Sequence, residues 1–287
     1  MPVTPTITQL LSEARRRLSS SLVLPESEAR IEALALLRRA LGDVARAWLI
    51  AHENDIPSPD QARAFALLLQ RRLSGEPVAY VLGEREFYGL DFVVTPQVLI
   101  PRPDTETLVE AALAHIPQRK SCRVLELGTG SGAIAIAIAK HRPLASITAV
   151  DNSQPALDVA GENARRLGAD NVQLKLSHWF SALAGEAFDV IVSNPPYIAA
   201  DDPHLSQGDL RFEPASALVG GRDGLDDIRL IVSAAPAHLV PSGWLLLEHG
   251  YDQAEHVAEL LRVAGFYEVA SVADLAGVMR VTQGRLL

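Results

Sequence analysis

Apolar residues near the start of the chain recur every three or four positions, which is the spacing of a helix that buries one face. A third segment begins with Ser58-Pro59-Asp60-Gln61, where a capping serine, a first-turn proline and a capping-box glutamine precede an apolar run. Gly42 and Gly75 follow the second and third segments as helix stops. The sequence therefore predicts a small helical bundle over residues 1–75. The apolar positions of the first two helices are Ile7, Leu10, Leu11, Ala14 and Leu18, then Ile31, Leu34, Leu37 and Leu41.

The hydrophobic pattern changes after residue 75. Short β-rich pieces around Gly83, Gly89 and Pro96 predict a β-hairpin linker over residues 76–104. Over residues 105–287, apolar runs of strand length alternate with helical segments, as in a doubly wound α/β sheet of mostly parallel strands. No long crossover helix separates the last two β-rich pieces, so they should pair antiparallel. The predicted strands are Val124–Leu127, Ile147–Val150, Val172–Leu176, Val190–Val192, Trp244–Leu247, Glu268–Val272 and Val278–Thr282, and the predicted helices are Thr105–Ile116, Ala133–Lys140, Ala156–Leu167, Asp226–Leu239 and Gln253–Val263.

The composition fits an ordinary globular protein. The chain has 287 residues, of which 48% are hydrophobic and 21% are charged, and these proportions exclude disordered, collagen-like and fibrous proteins. Lys and Arg together number 26 and Asp and Glu 35, so the formal net charge is −9. Because affinity for a phosphate backbone depends on basic groups, stable nucleic-acid binding is not expected.

Cysteine content and the length of the apolar runs bear on where the protein acts. Cys122 is the single cysteine, which excludes an intrachain disulfide and a cysteine-based zinc site. A reducing, cytoplasmic location is therefore expected. No apolar run reaches the length of a membrane-spanning helix, and the first residues lack the features of an export signal. We expect no membrane association, and a monomer.

A glycine-rich turn, Gly128-Thr129-Gly130-Ser131-Gly132, joins an apolar strand to a helix. Glycines allow the positive φ angles of such a turn and let a ligand approach the backbone closely. The next predicted strand ends at Asp151, whose carboxylate can accept hydrogen bonds from ribose hydroxyls. This pair predicts a cofactor that carries a ribose, and it leaves a nicotinamide dinucleotide open as one of the possible cofactors. Glu126, just before the turn, either anchors the loop or contacts the cofactor.

The segment Asn194-Pro195-Pro196-Tyr197 follows the fourth predicted strand, at the edge where ligands bind in sheets of this kind. Two prolines fix the backbone and remove two donors, so the loop presents carbonyl oxygens, an amide and an aromatic ring. The carbonyls of Asn194 and Pro195 can each accept one N–H of a substrate NH₂ group, while Tyr197 packs over a planar acceptor. We interpret the segment as an acceptor loop for a planar nitrogen. Hydride transfer does not need this arrangement.

Together the two loops resemble the class I S-adenosylmethionine-dependent methyltransferases, whose Asn-Pro-Pro-Tyr loop methylates planar amine or amide nitrogens. Adenine in DNA, guanine in ribosomal RNA and protein glutamine are the substrate classes of that group. Further motifs, spread over roughly residues 75–280, resemble the peptide chain release factor glutamine N5-methyltransferases. These motifs are Phe87-Tyr88-Gly89-Leu90, Leu99-Ile100-Pro101-Arg102-Pro103-Asp104-Thr105-Glu106, Glu213-Pro214, Gly220-Gly221, Asp223-Gly224-Leu225-Asp226, Leu247-Glu248-His249-Gly250 and Asp274-Leu275-Ala276-Gly277.

The resemblance implies a fold, a cofactor and a substrate. The fold is a seven-stranded, doubly wound methyltransferase sheet with an antiparallel final strand over residues 105–287, preceded by a substrate-recognition bundle over residues 1–75. The cofactor is S-adenosylmethionine, converted to S-adenosylhomocysteine, and no metal is expected. The substrate is the glutamine of the Gly-Gly-Gln motif in class I release factors, which makes these factors the protein partners and translation termination the process affected.

The resemblance also implies site residues. His178 stands where the family commonly has an acid beside the adenine-pocket aromatic residue, so adenine recognition is expected to use backbone groups here. Ala215-Ser216 stands where the family has Arg-Leu, and we expect this pair to lie away from both loops. The implied cofactor-binding residues are Gly128, Thr129, Gly130, Ser131, Gly132, Asp151, Trp179 and Asn194, and the implied catalytic residues are Asn194, Pro195, Pro196 and Tyr197.

The expected reaction is an in-line displacement in which the glutamine amide nitrogen attacks the sulfonium methyl group. An amide nitrogen is a weak nucleophile, so positioning and polarisation must supply much of the rate. No general base is required, and His249 is expected to be structural. Two alternatives stay open: a methyltransferase for exocyclic amines of nucleic acid bases, and a non-catalytic module that binds an adenosyl ligand and docks other proteins.

Overall fold

The computed structural model describes residues 5–287. These residues form two compact units that meet in sequence between Gly83 and Glu84. That boundary falls inside the predicted linker of residues 76–104. Each unit has its own apolar core, so each is described by itself.

The first unit is a helical bundle, as the apolar spacing predicts. Thr6 and Ser58 each form a capping box at the start of a helix, the second with Gln61 as the sequence predicts. Leu18, Leu37 and Phe65 are among the residues that fill its core. Its helices are α1 (Ile7–Leu22), α2 (Glu26–Ala40), α3 (Arg46–Ala51), α4 (Pro59–Leu73) and α5 (Val78–Leu82).

Two of these short helices differ from the sequence prediction. The six-residue helix α3 has no counterpart in it, because a single buried leucine, Leu49, gives no periodicity to detect. The helix α5 occupies the start of the predicted β-rich linker. Its β-branched and aromatic residues favour a strand, but Pro77 precedes the first turn, Gly83 ends the helix in a left-handed conformation, and Val81 packs into the bundle core.

The second unit begins with the predicted hairpin and continues into the predicted sheet. The hairpin consists of β1 (Glu84–Phe87) and β2 (Leu90–Val93). The sheet has seven strands in the order β5-β4-β3-β6-β7-β9-β8; β9 runs antiparallel to both of its neighbours and the pairs from β5 to β7 are parallel. The antiparallel ending is confirmed. The sheet strands are β3 (Cys122–Leu127), β4 (Ala145–Asp151), β5 (Val172–Leu176), β6 (Phe188–Ser193), β7 (Leu239–Glu248), β8 (Phe266–Ala273) and β9 (Met279–Leu286).

Helices cover both faces of the sheet, which confirms the doubly wound architecture. Alternate residues of β3 enter different cores: Val124 packs in the same cluster as Ile136, whereas Leu125 packs with Ile228 and Leu261. The helices are α6 (Glu106–His115), α7 (Ala133–His141), α8 (Gln154–Leu167), α9 (Asp226–Ala234) and α10 (Ala254–Val263).

The helix predicted over Asp226–Leu239 is too long. The α-helix ends at Ala234, a short 3₁₀ turn follows over Ala235–His238, and Leu239 already belongs to β7. Pro236 explains the end, because proline lacks the N–H that the next helical turn needs and its ring clashes with the preceding turn.

Candidate active site

A cleft opens at the carboxyl ends of the parallel strands. The register of the sheet brings the two candidate loops together there, because Leu127 at the end of β3 pairs with Ser193 at the end of β6. The Ser193 hydroxyl also donates a hydrogen bond to the Leu127 carbonyl oxygen at 2.8 Å. The lining residues are Pro96, Gln97, Val98, Leu99, Gly128, Gly130, Asp151, Asn152, Ser153, Ala156, Ser177, His178, Trp179, Asn194, Pro196, Pro214, Ser216, Ala217 and Asp227.

The glycine-rich turn divides into residues that face the cleft and residues that support them. Gly128 and Gly130 line the cleft, both with positive φ angles. Thr129 and Ser131 are buried, and Gly132 begins α7, where a side chain would press on Ile136 and Ala160. The structure thus places Gly128 and Gly130 on the surface of the cleft, and direct cofactor contact by any residue of the turn stays a prediction.

Glu126 anchors this turn from below. Its Oε2 atom accepts hydrogen bonds from the Thr129 hydroxyl at 2.5 Å and from the Ala135 amide at 3.2 Å. Burial raises the pKa of Glu126 to about 8, although both hydrogen bonds oppose the rise. The geometry resolves the choice left open by the sequence, since the carboxyl group lies under the loop and does not line the cleft.

Asp151 connects the end of β4 to the same turn. One carboxylate oxygen accepts a hydrogen bond from the Gly130 amide at 2.9 Å, and the other accepts one from the Ser153 amide at 2.9 Å. A carboxylate has about four lone-pair positions, so acceptor capacity remains on the side that lines the cleft. Asp151 can therefore fix the glycine turn and accept hydrogen bonds from ligand hydroxyls at the same time.

Trp179 forms an aromatic wall of the cleft. The ring lies close to Gly128, where an added Cβ would be 3.5 Å from Trp179 Cζ3. The indole Nε1 atom is buried and lies close enough to the Asp227 carboxyl group to lower its pKa. His178 and Asp227 line the cleft beside it, and burial raises the pKa of Asp227, while Trp179 and His178 oppose the rise. A carboxyl group thus lies in this wall although His178 takes the place of the expected acid.

The acceptor loop projects into the cleft next to this wall. Asn194 and Pro196 line the cleft, and Pro195 is buried. Tyr197 packs against the apolar core that contains Leu125. The Asn194 amide nitrogen donates a hydrogen bond to the Thr105 hydroxyl at 3.3 Å. With its NH₂ group held in this way, Asn194 has its carbonyl oxygen left as the side-chain acceptor.

A second segment, Leu218–Gly224, holds the acceptor loop in place. The Ile198 amide donates to the Leu218 carbonyl at 2.9 Å, and the Gly220 amide donates back to the Ile198 carbonyl at 2.9 Å. A Cβ at Gly220 would overlap the Pro196 carbonyl oxygen, and one at Gly224 would overlap the Tyr197 carbonyl oxygen. These two glycines therefore allow the close approach of two backbone segments.

Several cleft residues are absent from the sequence prediction. Pro96 to Leu99 line one side, and the adjoining residues are held by the buried carboxylate of Glu213, which accepts from the Ile100 amide at 3.1 Å and pairs with Arg102. Ser216 lies in the same cleft, so the expectation that Ala215-Ser216 is remote from both loops is wrong. The 3₁₀ turn Ala215–Ala217 carries it there.

His249 is enclosed in the fold. Its Nδ1 atom lies 2.8 Å from the Gly250 carbonyl oxygen and its Nε2 atom 2.8 Å from the Thr282 hydroxyl. Burial lowers the pKa of this imidazole. With both ring nitrogens engaged and no exposed surface, the residue is structural, as the sequence predicts.

Within residues 5–287, none of the helices has the length and the apolar character that a membrane span requires. The same residues contain no group of three or more His, Cys, Asp or Glu side chains arranged to hold a metal ion.

Two family models match the chain. The methyltransferase small domain matches residues 104–215, and the PrmC N-terminal domain matches residues 9–83. The first match contains the glycine turn, Asp151, Trp179 and the acceptor loop, and the second covers most of the helical bundle.

Curated relatives are similar over most of their length. A protein named release factor glutamine methyltransferase from Xylella fastidiosa strain Temecula1 is 54% identical over 89% of this chain and 93% of the relative. A protein of the same name from Escherichia coli strain K12 is 46% identical over 94% and 96%. Such identity over residues of both units relates most of the chain to these proteins.

A solved structure shares the fold at lower identity. It is described as a T. thermophilus 16S rRNA N2 methyltransferase in complex with AdoMet and guanosine, and it matches with a TM-score of 0.52 and 21% identity, over 71% of this chain and 50% of that chain. Since an RNA-modifying enzyme has this fold too, the fold does not identify the acceptor.

Proposed function

Because the chain belongs to the release factor glutamine methyltransferase family, we propose that it methylates class I peptide chain release factors. The methyl group comes from S-adenosylmethionine and is transferred to the side-chain amide nitrogen, N5, of the glutamine in the Gly-Gly-Gln motif. The observation that carries the proposal is the juxtaposition of a cofactor-type glycine turn and an Asn-Pro-Pro-Tyr loop at one edge of the sheet, with Leu127 and Ser193 paired between them.

The residues of the cleft fit S-adenosylmethionine. Gly128 and Gly130 present backbone without side chains, Asp151 offers a carboxylate to the ribose hydroxyls, and Trp179 offers a flat apolar surface to adenine. Asp151 and Asp227 also give the cleft a negative character that suits a sulfonium cation. When bound, the cofactor supplies an electrophilic methyl group.

The acceptor loop holds and polarises the glutamine amide. The Asn194 carbonyl oxygen and the Pro195 backbone carbonyl each accept one N–H of the substrate NH₂ group, which directs the nitrogen lone pair toward the methyl group. Within the acceptor loop, Tyr197 and Pro196 flank the substrate amide, one on each side of its plane. As the N–C bond forms, positive charge develops on the nitrogen, and the two carbonyl dipoles stabilise it.

The proton balance needs no base from the chain. The nitrogen gains a methyl group and becomes strongly acidic, so one of its protons passes to solvent and neutral N5-methylglutamine is left. This matches the arrangement around Asn194, whose nearest hydrogen-bond partner is the neutral hydroxyl of Thr105.

The helical bundle supplies a second contact surface for the release factor in this proposal. One of its grooves is lined by apolar residues of α1, α2 and α3 with Arg30 and Arg46 among them. Ile31 and Ile50 in this groove are 65% and 67% exposed. Apolar surface of that kind is typical of a protein interface. In this proposal the protein acts in the cytoplasm, where release factors work.

Methyl transfer to a panel of acceptors tests the proposal. Isotope-labelled S-adenosylmethionine is incubated with the protein and a purified, unmodified class I release factor, the same factor with Gly-Gly-Gln changed to Gly-Gly-Ala, free glutamine, ribosomal RNA or DNA. Label in the first acceptor alone supports the proposal. Label in nucleic acid would support the base-amine alternative, and cofactor binding without transfer to any acceptor would support the docking module.

A further inference from the structure

Glu248 is a buried carboxyl group directly behind the acceptor loop. It ends β7 and is 1% exposed. The Tyr197 hydroxyl donates a hydrogen bond to its Oε1 atom at 3.3 Å, and its Oε2 atom is buried with no hydrogen-bond partner. An unsatisfied carboxyl oxygen in the protein interior costs free energy.

Thr105 connects the same carboxyl group to Asn194. Its hydroxyl accepts the hydrogen bond from the Asn194 amide nitrogen and is close enough to Glu248 to lower the pKa of that carboxyl. Thr105 is itself only 4% exposed. Of the two polar side chains of the Asn-Pro-Pro-Tyr loop, Tyr197 therefore bonds to Glu248 directly, and Asn194 bonds to the hydroxyl that lowers the pKa of Glu248.

Packing alone does not account for a carboxyl group at this position. The neighbouring cation, Arg280, forms its ion pairs with Asp104 at 3.0 Å and Asp274 at 3.1 Å, and none with Glu248. An apolar side chain at the end of β7 would avoid the desolvation cost of Glu248. What the carboxyl group provides is an acceptor for the Tyr197 hydroxyl of the acceptor loop.

We propose that Glu248 is a positioning residue for methyl transfer, which sets the Asn194 amide through Thr105 and the Tyr197 ring through its hydroxyl. The inference rests on the proposed function for its kinetic effect. With the Asn194 NH₂ group held by Thr105, the Asn194 carbonyl oxygen faces the substrate amide. Without that restraint the side chain can turn either its carbonyl oxygen or its NH₂ group toward the substrate.

The ionisation of Glu248 adds a measurable signature. The groups facing it are Tyr197, Thr105, Arg280 and Asp104. Burial raises the pKa of Glu248 to about 7, and Thr105, Tyr197 and Arg280 oppose that rise. An ionised carboxylate accepts stronger hydrogen bonds than the neutral acid, so positioning should weaken as the pH falls through 7.

Three variants test the proposal. Glu248→Gln keeps the shape but removes the charge, Thr105→Val removes the bridging hydroxyl, and Thr105→Ser restores it. Thr282→Val is the matched control, because Thr282 is also a buried threonine near the end of the sheet but bonds to His249 and Ser271. Two readouts are taken: steady-state methylation of a release factor across pH 6–9, and the Asn194 side-chain amide resonances in ¹⁵N NMR spectra.

We expect kcat to fall roughly 10-fold or more in Glu248→Gln and Thr105→Val at pH 8, with unchanged S-adenosylmethionine affinity. Thr105→Ser should recover most of kcat, and the acid limb near pH 7 should vanish in Glu248→Gln. The Asn194 amide resonances should shift in Glu248→Gln and Thr105→Val but not in Thr282→Val. Wild-type kcat in both variants, or unmoved Asn194 resonances, would overturn the inference.

The two readouts keep this inference separate from the proposed function. If wild-type protein methylates no release factor, the proposed function fails, while the NMR comparison still decides whether Glu248 and Thr105 set Asn194. If wild-type protein is active and the loss in the variants equals that in Thr282→Val, the role of Glu248 is merely structural and the inference is rejected.

Discussion

The Asp151 carboxylate accepts a hydrogen bond from the Gly130 amide at 2.9 Å, which ties the end of β4 to the turn that follows β3. The Val150 carbonyl oxygen accepts from the Gly128 and Thr129 amides at 2.9 Å beside it, so these contacts together join the two halves of the proposed cofactor site. Asp151 therefore shapes the turn, and in the proposed function it also offers acceptors to the cofactor.

Replacing Asp151 should weaken cofactor binding strongly. Asp151→Ala removes the acceptor for the Gly130 amide and the proposed ribose contacts, and a hydrogen bond to a charged group contributes about 1.5–3 kcal/mol. We expect S-adenosylmethionine affinity to fall roughly 10- to 100-fold by isothermal calorimetry. Asp170→Ala, at an exposed position outside the cleft, is the control. Equal affinities in the two variants would contradict the role of Asp151.

Gly224 should be needed for the shape of the acceptor loop. Its φ angle is +74° and a Cβ there would overlap the Tyr197 carbonyl oxygen, so Gly224→Ala should displace the loop and lower kcat more than cofactor affinity. Gly168→Ala is the matched control, with φ +61° but no atom within 4 Å of the added Cβ. The control should cost only the left-handed penalty of about 1–2 kcal/mol in unfolding free energy. An active Gly224→Ala enzyme would show that the contact does not matter.

The stability of the fold should depend on pH through Glu126. An ordinary glutamate titrates near 4.5, whereas burial raises the pKa of Glu126 to about 8. Below pH 4.5 the carboxyl is protonated in both the folded and the unfolded protein. Between pH 4.5 and about 8 the unfolded chain has lost the proton that the folded protein keeps. This group therefore makes the free energy of unfolding fall as the pH rises.

Glu126→Gln tests whether the free energy of unfolding falls with pH because of this carboxyl group. The variant should gain unfolding free energy relative to wild type as the pH rises from 5 to 8, by at most about 1.4 kcal/mol per pH unit. Urea unfolding at pH 5, 6.5 and 8 measures the difference, and Glu255→Gln on the exposed face of α10 should show none. A difference between wild type and Glu126→Gln that stays constant with pH would contradict the account.

Substitutions in the bundle groove should affect only the binding of the protein substrate. Ile31→Asp puts a charge into the exposed apolar groove of the bundle, so we expect KM for the release factor to rise about fivefold or more, with kcat and cofactor affinity unchanged. Leu67→Asp, at a 58% exposed position on α4 outside the groove, should leave KM near the wild-type value. An unchanged KM in Ile31→Asp would remove the groove from the recognition surface.

Much of the fold and part of the site follow from local sequence patterns. The glycine turn and the Asn-Pro-Pro-Tyr loop each follow an apolar run that ends abruptly, so their place at the carboxyl ends of β3 and β6 could be predicted. The end of α9 just before Pro236 could also have been predicted from the sequence, because proline is seldom found inside a helix.

The supporting contacts of the site could not be predicted in the same way. Thr105 is 89 residues from Asn194, and Glu248 is 51 residues from Tyr197, so no periodicity or spacing links them. Asp227 and Ser216 reach the cleft from segments far beyond the glycine turn in sequence. Which of these side chains face the same cleft is decided by the sheet order and by how the segment after β6 folds back over the acceptor loop.

The measurement that tests the account most directly is peptide mass spectrometry of an unmodified class I release factor after incubation with the protein and S-adenosylmethionine. Asn194→Ala serves as the paired variant, with its cofactor affinity measured separately. We predict one added methyl group on the side-chain amide of the Gly-Gly-Gln glutamine with wild-type protein, and none with Asn194→Ala although the variant still binds the cofactor. No methyl group at that glutamine with wild-type protein, or full methylation by Asn194→Ala, would contradict the assignment of the acceptor loop.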